Sequence, residues 1–190
     1  MAQQRAGRPA DGWQVRRRRR LIDNQWLRVD VEDVVLPDGH VIEDYYVVHE
    51  PDFVMVLAVT TDGLAVLVRQ YKHGVGRVVL ELPAGYLDRD DGSPAEAVRR
   101  ELREETGYAA GEVRHLASLI NNPTRSPSRG HYFLATGCRP AGDQQLDPAE
   151  RIAVVLAPLA ELPALVQAGA IEVQSSVAGI SLGLAALRGA

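Results

Sequence analysis

The sequence predicts an α+β protein in which one sheet is covered by helices as an α/β/α sandwich. Three observations lead there. Strand-like runs fill most of the chain between residues 25 and 82. One sharply bounded helix, residues 94–106, sits between those runs and a second group of strands. Two further helical patterns close the chain. At 190 residues the chain has the length of one domain with a substantial core. The expected organisation is a flexible basic tail over residues 1–20 and a single domain over residues 21–190.

From Gln25 onward the pattern turns to strands, and Trp26 to Val34 mostly alternates in polarity, as a half-buried strand does. Leu36-Pro37-Asp38-Gly39-His40 reads as a turn, and extended pattern resumes from Val41 to Val48. Phe53–Thr60 and Leu64–Tyr71 are apolar runs joined through Thr61-Asp62-Gly63, and Asp-Gly between such runs is a hairpin signal. A short strand at Val78–Leu82 leads into a turn containing Gly85. Ser93 can cap the following helix, Pro94 suits its first position, Glu96 completes a capping box, and Gly107 ends it. Ala95, Val98 and Leu102 form the stripe expected to pack on the sheet. Strands are expected over residues 113–120, 131–136 and 152–156, and helices over 159–168 and 174–187. Pro163 is tolerable only in the first turn of its helix.

Composition narrows the function classes. The net charge is −4, ordinary for a soluble protein. Cys138 is the one cysteine, so no intrachain disulfide forms and a reducing, cytoplasmic setting is expected. No apolar run approaches the ~20 residues that span a bilayer, and no apolar stretch follows the N-terminal arginines as in a signal peptide. Arg16–Arg20 is an unbroken basic run. It has no interleaved aromatics of a nucleic-acid platform, so a solvated segment or exposed strand explains it better than a nucleic-acid partner.

The chemistry concentrates on the helix. Glu104 and Glu105 lie three and four residues after Glu101, so the three share a face. Clustered carboxylates repel, and a hard divalent cation with oxygen ligands relieves that repulsion. The plain alternative is a solvated acidic face paired with Arg99, Arg100 and Arg103.

Gly85 followed by Arg100-Glu101-Leu102-Arg103-Glu104-Glu105-Thr106-Gly107-Tyr108 resembles the Nudix box. That signature is Gly, five residues, Glu, seven residues, then Arg-Glu-aliphatic-any-Glu-Glu-any-Gly-hydrophobic. The second half matches at each specified position. The first half departs: Asp91 lies six residues after Gly85, yet Gly92 lies eight before Arg100, so the loop is one residue longer and its Glu is missing or replaced by Asp91. The flanks Arg69-Gln70-Tyr71-Lys72-His73 and Glu81-Leu82-Pro83-Ala84-Gly85, with Pro123 sixteen residues beyond Gly107, are similar to the ADP-ribose pyrophosphatase branch of that family.

The resemblance implies a Nudix-type sandwich with a mixed sheet and an N-terminal antiparallel strand region. It implies a hydrolase that splits the diphosphate of ADP-ribose or a related nucleoside diphosphate sugar with Mg²⁺, or Mn²⁺ in its place. Glu101, Glu105 and the Ala84 carbonyl are the implied metal ligands. Glu104 is a further ligand or holds a water belonging to the metal, and Glu104 and Glu105 are the box candidates for catalysis. Arg100 orients the glutamates. Arg69, Arg28 and Arg125 are candidates for substrate contacts, and Trp26 or Tyr46 for stacking on a base. Relatives of this kind are usually homodimers whose N-terminal strands help build the partner's site, which would engage Trp26 and Arg28.

The loop from Asn121 to His131 carries no carboxylate, although enzymes of that branch usually place a glutamate there. The base then comes from Glu104, from Asp143, Asp147 or Glu150, or from His131. The same departure supports a second reading, a Nudix-fold nucleotide-binding protein with little or no turnover.

Overall fold

The computed structural model describes residues 12–24, 27–88 and 90–189. It divides into two units, one made of the chain up to Glu50 with Asn122–Ser128, the other of Pro51–Asn121 with Arg129–Ala190.

The first unit is an antiparallel three-stranded sheet in chain order: β1 (Gln14–Asp23), β2 (Arg28–Val35) and β3 (Val41–His49). The expected tail boundary at residue 20 falls inside β1, so Arg16–Arg20 is strand. The cause is charge pairing. Arg18 reaches the buried Glu32 at 2.6 Å, Arg20 binds the buried Asp30, and Arg19 meets Asp44 at 2.9 Å. Residues 1–11 of the expected tail lie outside the described residues. Asn122–Ser128 joins this unit where the Val48 N–H donates to the Arg125 carbonyl at 2.7 Å.

The second unit holds β4 (Phe53–Thr60), β5 (Leu64–Lys72), β6 (Arg77–Glu81), β7 (Ala84–Tyr86), α1 (Pro94–Thr106), β8 (Tyr108–Ala109), β9 (Glu112–Ile120), β10 (Arg129–Pro140) and β11 (Ile152–Pro158). After β11 come a 3₁₀ turn (Leu159–Glu161), α2 (Leu162–Gln167) and α3 (Gln174–Arg188). Its sheet runs β11-β5-β4-β10-β8, with β6 on β5, β7 on β4 and β9 on β10. β4 and β10 are parallel and the other pairs antiparallel, so the sheet is mixed as expected. The helix expected over 159–168 splits into the 3₁₀ turn and α2, because Pro163 lacks an N–H and is accepted only at the start of an α-helix.

Strand alternation separates two apolar layers. Val54, Val56 and Ala58 of β4 pack with Ala97, Val98 and Leu102 of α1. Met55, Leu57 and Val59 pack on the opposite face with Leu162, Ile171 and Ile180. This is the sandwich. It presses α1 onto the middle of the sheet beside β7. Among the described residues no helix is long and apolar enough to cross a membrane.

Candidate active site

α1 begins and ends where its cap residues dictate. Ser93 is extended (φ −157°, ψ 158°), and its hydroxyl accepts the Glu96 N–H at 3.2 Å. Glu96 returns its carboxylate to the Ser93 hydroxyl at 3.0 Å, a variant of the reciprocal box. Gly107 takes the left-handed conformation (φ 74°), and its N–H donates to the Arg103 carbonyl at 2.8 Å. The buried face differs from the expected stripe. Val98 and Leu102 are buried, but Ala95 is exposed and Ala97 takes its place. The inward face is therefore rotated toward Ala97, Glu101 and Glu105, and this rotation brings carboxylates to the sheet.

Glu105 is 3% exposed, and its Oε2 accepts the Ala84 N–H at 3.0 Å. Glu101 lies over Gly85. A Cβ built on that glycine would stand 2.0 Å from the Glu101 carboxyl carbon and 2.2 and 2.3 Å from its oxygens. Gly85 is thus required by close approach of the strand to a carboxylate.

Arg100 ties the acidic groups together. Its Nε and Nη2 donate to the two oxygens of Asp91 at 3.1 and 2.9 Å, a bidentate pair. Its Nη1 donates to Glu101 at 2.8 Å and to Glu104 at 2.9 Å. Asp91 also accepts the Asp88 N–H at 2.9 Å. Asp91 is therefore the half-buried anchor of Arg100, and its own N–H donates to the Asp88 carbonyl at 3.2 Å.

The electrostatics follow this geometry. Burial pushes the Glu105 carboxyl up to about 8, against the Ala84 hydrogen bond and with added repulsion from Glu101. Burial also raises Glu101, opposed by the charge of Arg100. Hydrogen bonding to Arg100 holds Asp91 below the ordinary carboxylate range. The negative charge of Glu150 adds to the rise of both Glu101 and Glu105.

A buried and a half-buried carboxylate of raised pKa, beside a strand that admits no side chain, fit a cation with oxygen ligands. Among the described residues no three His, Cys, Asp or Glu side chains form a ready-made cage. Arg100 holds one oxygen of Glu101 and one of Glu104, while Glu105 leans on Ala84.

The remaining candidates are dispersed. Arg69 is exposed on β5. Lys72 pairs with the buried Glu81 at 3.1 Å, and its charge lowers Glu105. Arg28 and Arg125 belong to the first unit. Arg28 stands 3.5 Å from Asp23, and the Arg125 guanidinium lies 5.5 Å from the centre of the Tyr45 ring. Tyr46 is exposed on β3, and Trp26 lies outside the described residues. His131 is held by Ser118 at 2.8 Å and Asp52 at 3.3 Å. Asp52 escaped the sequence reading because it lies just before β4, 79 residues from His131 along the chain. Asp143 and Asp147 are exposed.

Comparison with known proteins agrees with this architecture. Residues 49–175 match the NUDIX domain, and residues 13–48 match a nucleoside diphosphate sugar hydrolase N-terminal domain. An ADP-ribose pyrophosphatase of Mycobacterium tuberculosis is 33% identical over 150 residues, 78% of this chain and 72% of that protein. An ADP-ribose pyrophosphatase of Bacillus subtilis is 38% identical over 105 residues, and the chain spans only 56% of that protein's length. A crystal structure of an ADP compounds hydrolase superposes with a TM-score of 0.83, covering 93% of this chain and 95% of that one at 23% identity. With its box helix, mixed sheet and these matches, the chain belongs to the Nudix family.

Proposed function

We propose that the protein hydrolyses the diphosphate bond of ADP-ribose or a related nucleoside diphosphate sugar, releasing a nucleoside monophosphate and a sugar phosphate. The observation that carries this is the placement of Glu101 and Glu105 against the Ala84-Gly85 strand, desolvated and of raised pKa. Glu101, Glu105 and the Ala84 carbonyl would hold the metal, Mg²⁺ or Mn²⁺, with Glu104 as a further oxygen donor at the rim. When bound, such a cation neutralises charge developing on the diphosphate and lowers the pKa of water beside it.

The chain's own residues then orient and bind. Arg100, anchored by Asp91, fixes the rotamers of Glu101 and Glu104. Arg69 offers a guanidinium to a phosphate oxygen. Arg28, Arg125 and Trp26 are the candidates for contacts to sugar or base, and the active form is a homodimer. The alternative, nucleotide binding with little turnover, is favoured by the acid-free 121–131 loop.

A panel of nucleoside diphosphate sugars incubated with Mg²⁺ or Mn²⁺ separates the two. Metal-dependent monophosphate release, greatest with ADP-ribose, is expected. Thermal stabilisation by the same compounds without release would establish the binding protein instead.

A further inference from the structure

The catalytic task left vacant by the acid-free loop points to the strand beside the box. We propose that Asp52, oriented by His131, is the general base for the water that attacks the diphosphate. This rests on the hydrolase reading above.

Asp52 and His131 belong to a hydrogen-bonded row on one face of the sheet. Asp52 Oδ1 accepts the Arg129 N–H at 2.8 Å, and its Oδ2 lies 3.3 Å from His131 Nε2. His131 Nδ1 lies 2.8 Å from Ser118 Oγ, which lies 2.9 Å from His115 Nε2. One assignment satisfies the whole row. His115 Nε2–H donates to Ser118, the Ser118 hydroxyl donates to His131 Nδ1, and His131 Nε2–H donates to Asp52. This tautomer keeps Asp52 an acceptor and fixes the plane of its carboxylate.

The row is on the α1 face. On β10, Phe133 and Ala135 pack with α1, so His131, two residues before Phe133, points the same way. Val54 of β4 packs with α1, and Asp52, just before β4, is set on the same side by its contact with His131. In register, Val54 stands between Gly85 on one side and His131 on the other. The Leu87 N–H donates to the Asp52 carbonyl at 2.9 Å, tying Asp52 to the strand that leaves Gly85. Asp52 thus stands two residues along the chain from the Val54–Gly85 pair, where Glu101 lies over Gly85.

Exposure completes the argument. The Asp52 side chain is 39% exposed and open to water, while the His131 ring behind it is 15% exposed. In the step, a lone pair of the water oxygen forms the new P–O bond and its proton passes to the Asp52 carboxylate. The P–O bond to the departing phosphate breaks, and its electron pair stays on that phosphate's oxygen. Asp52 then releases its proton to solvent. Asp52 is the catalytic residue here, and His131 a positioning residue.

The test is steady-state kinetics on the full chain with ADP-ribose and Mg²⁺, comparing wild type, Asp52→Asn, Asp52→Ala, His131→Gln and Glu150→Gln. Thermal melts with and without Mn²⁺ report folding and metal binding. Asp52→Asn is expected to lower kcat by about 100-fold or more, the usual worth of a general base, with KM and the Mn²⁺-induced Tm shift retained. Formate is expected to restore part of the kcat of Asp52→Ala. His131→Gln is expected to lower kcat about tenfold at unchanged KM, as a lost orienting contact does, and Glu150→Gln to lower it by less than Asp52→Asn does. Full kcat in Asp52→Asn, or an equal loss in Glu150→Gln that formate rescues, would overturn the assignment and leave the hydrolase standing. If Asp52→Asn fails to fold, full kcat in His131→Gln overturns it. A wild-type enzyme without turnover on any nucleoside diphosphate sugar would overturn the hydrolase reading and this one with it.

Discussion

Gly85 shows most directly how one residue type is selected by the site. Adding a methyl there drives the Glu101 carboxyl off its seat, because the new atom would stand 2.0 Å from its carbon. Gly85→Ala should therefore keep the fold, lower turnover at least about tenfold and weaken the metal-induced rise in Tm, since displaced ligands of this kind typically cost that much. Glu105 gives a pH signature in metal-free protein. Its folded pKa, about 8, lies above the ordinary value, so its contribution to stability is full below the unfolded pKa and is lost as pH rises toward 8. Chemical denaturation in chelator should show stability falling by on the order of 4 kcal/mol across that window, with the slope removed in Glu105→Gln. Arg100→Ala leaves the half-buried Asp91 without its bidentate partner and should cost about 1–3 kcal/mol. Arg100→Lys should recover little of this, because an ammonium cannot reproduce the bidentate pair. Spacing placed Glu101 and Glu105 on one helix face in the sequence, and the resemblance brought in Arg100. The sequence did not disclose the anchoring role of Asp91, because the lengthened loop hid it.

At the scale of elements, legibility followed local chemistry. The bounds of α1 coincide with expectation, since Ser93, Pro94 and Gly107 act on their own neighbours. β4 does too, and the Asp-Gly turn after it joins antiparallel strands as expected. The missed elements are β7 and β8, of three and two residues, which exist only because β4 and β10 offer edges to pair with. The substitution of Ala97 for Ala95 in the buried face has the same origin, because a helix's rotation on a sheet is a tertiary property. Two substitutions separate these levels in urea melts. Ser93→Ala should cost about 1 kcal/mol through the lost cap. Leu102→Ala, emptying a fully buried site between α1 and β4, should cost about 2–5 kcal/mol.

At the scale of the molecule, the sequence conveyed the mixed sheet, the sandwich and the N-terminal antiparallel strands, but not how β1 is held. The run of five arginines reads as a solvated segment or an exposed strand, but its partners Asp30, Glu32 and Asp44 on neighbouring strands are seen only in the structure. Asp52 was illegible for a similar reason, since strand pairing brings it beside His131 from 79 residues away. The hydrolytic centre we propose draws on α1, β7 and Asp52 just before β4. The most direct test of that centre is ³¹P NMR of ADP-ribose with Mg²⁺ and the protein, comparing wild type with Glu105→Gln after both are shown folded by thermal melt. The account predicts loss of the diphosphate signals and growth of two phosphomonoester signals with wild type, and rates at least about 100-fold lower with the variant, since a cluster acting as a unit fails when one member is removed. An unchanged diphosphate spectrum with wild type, or equal rates for the two proteins, would contradict it.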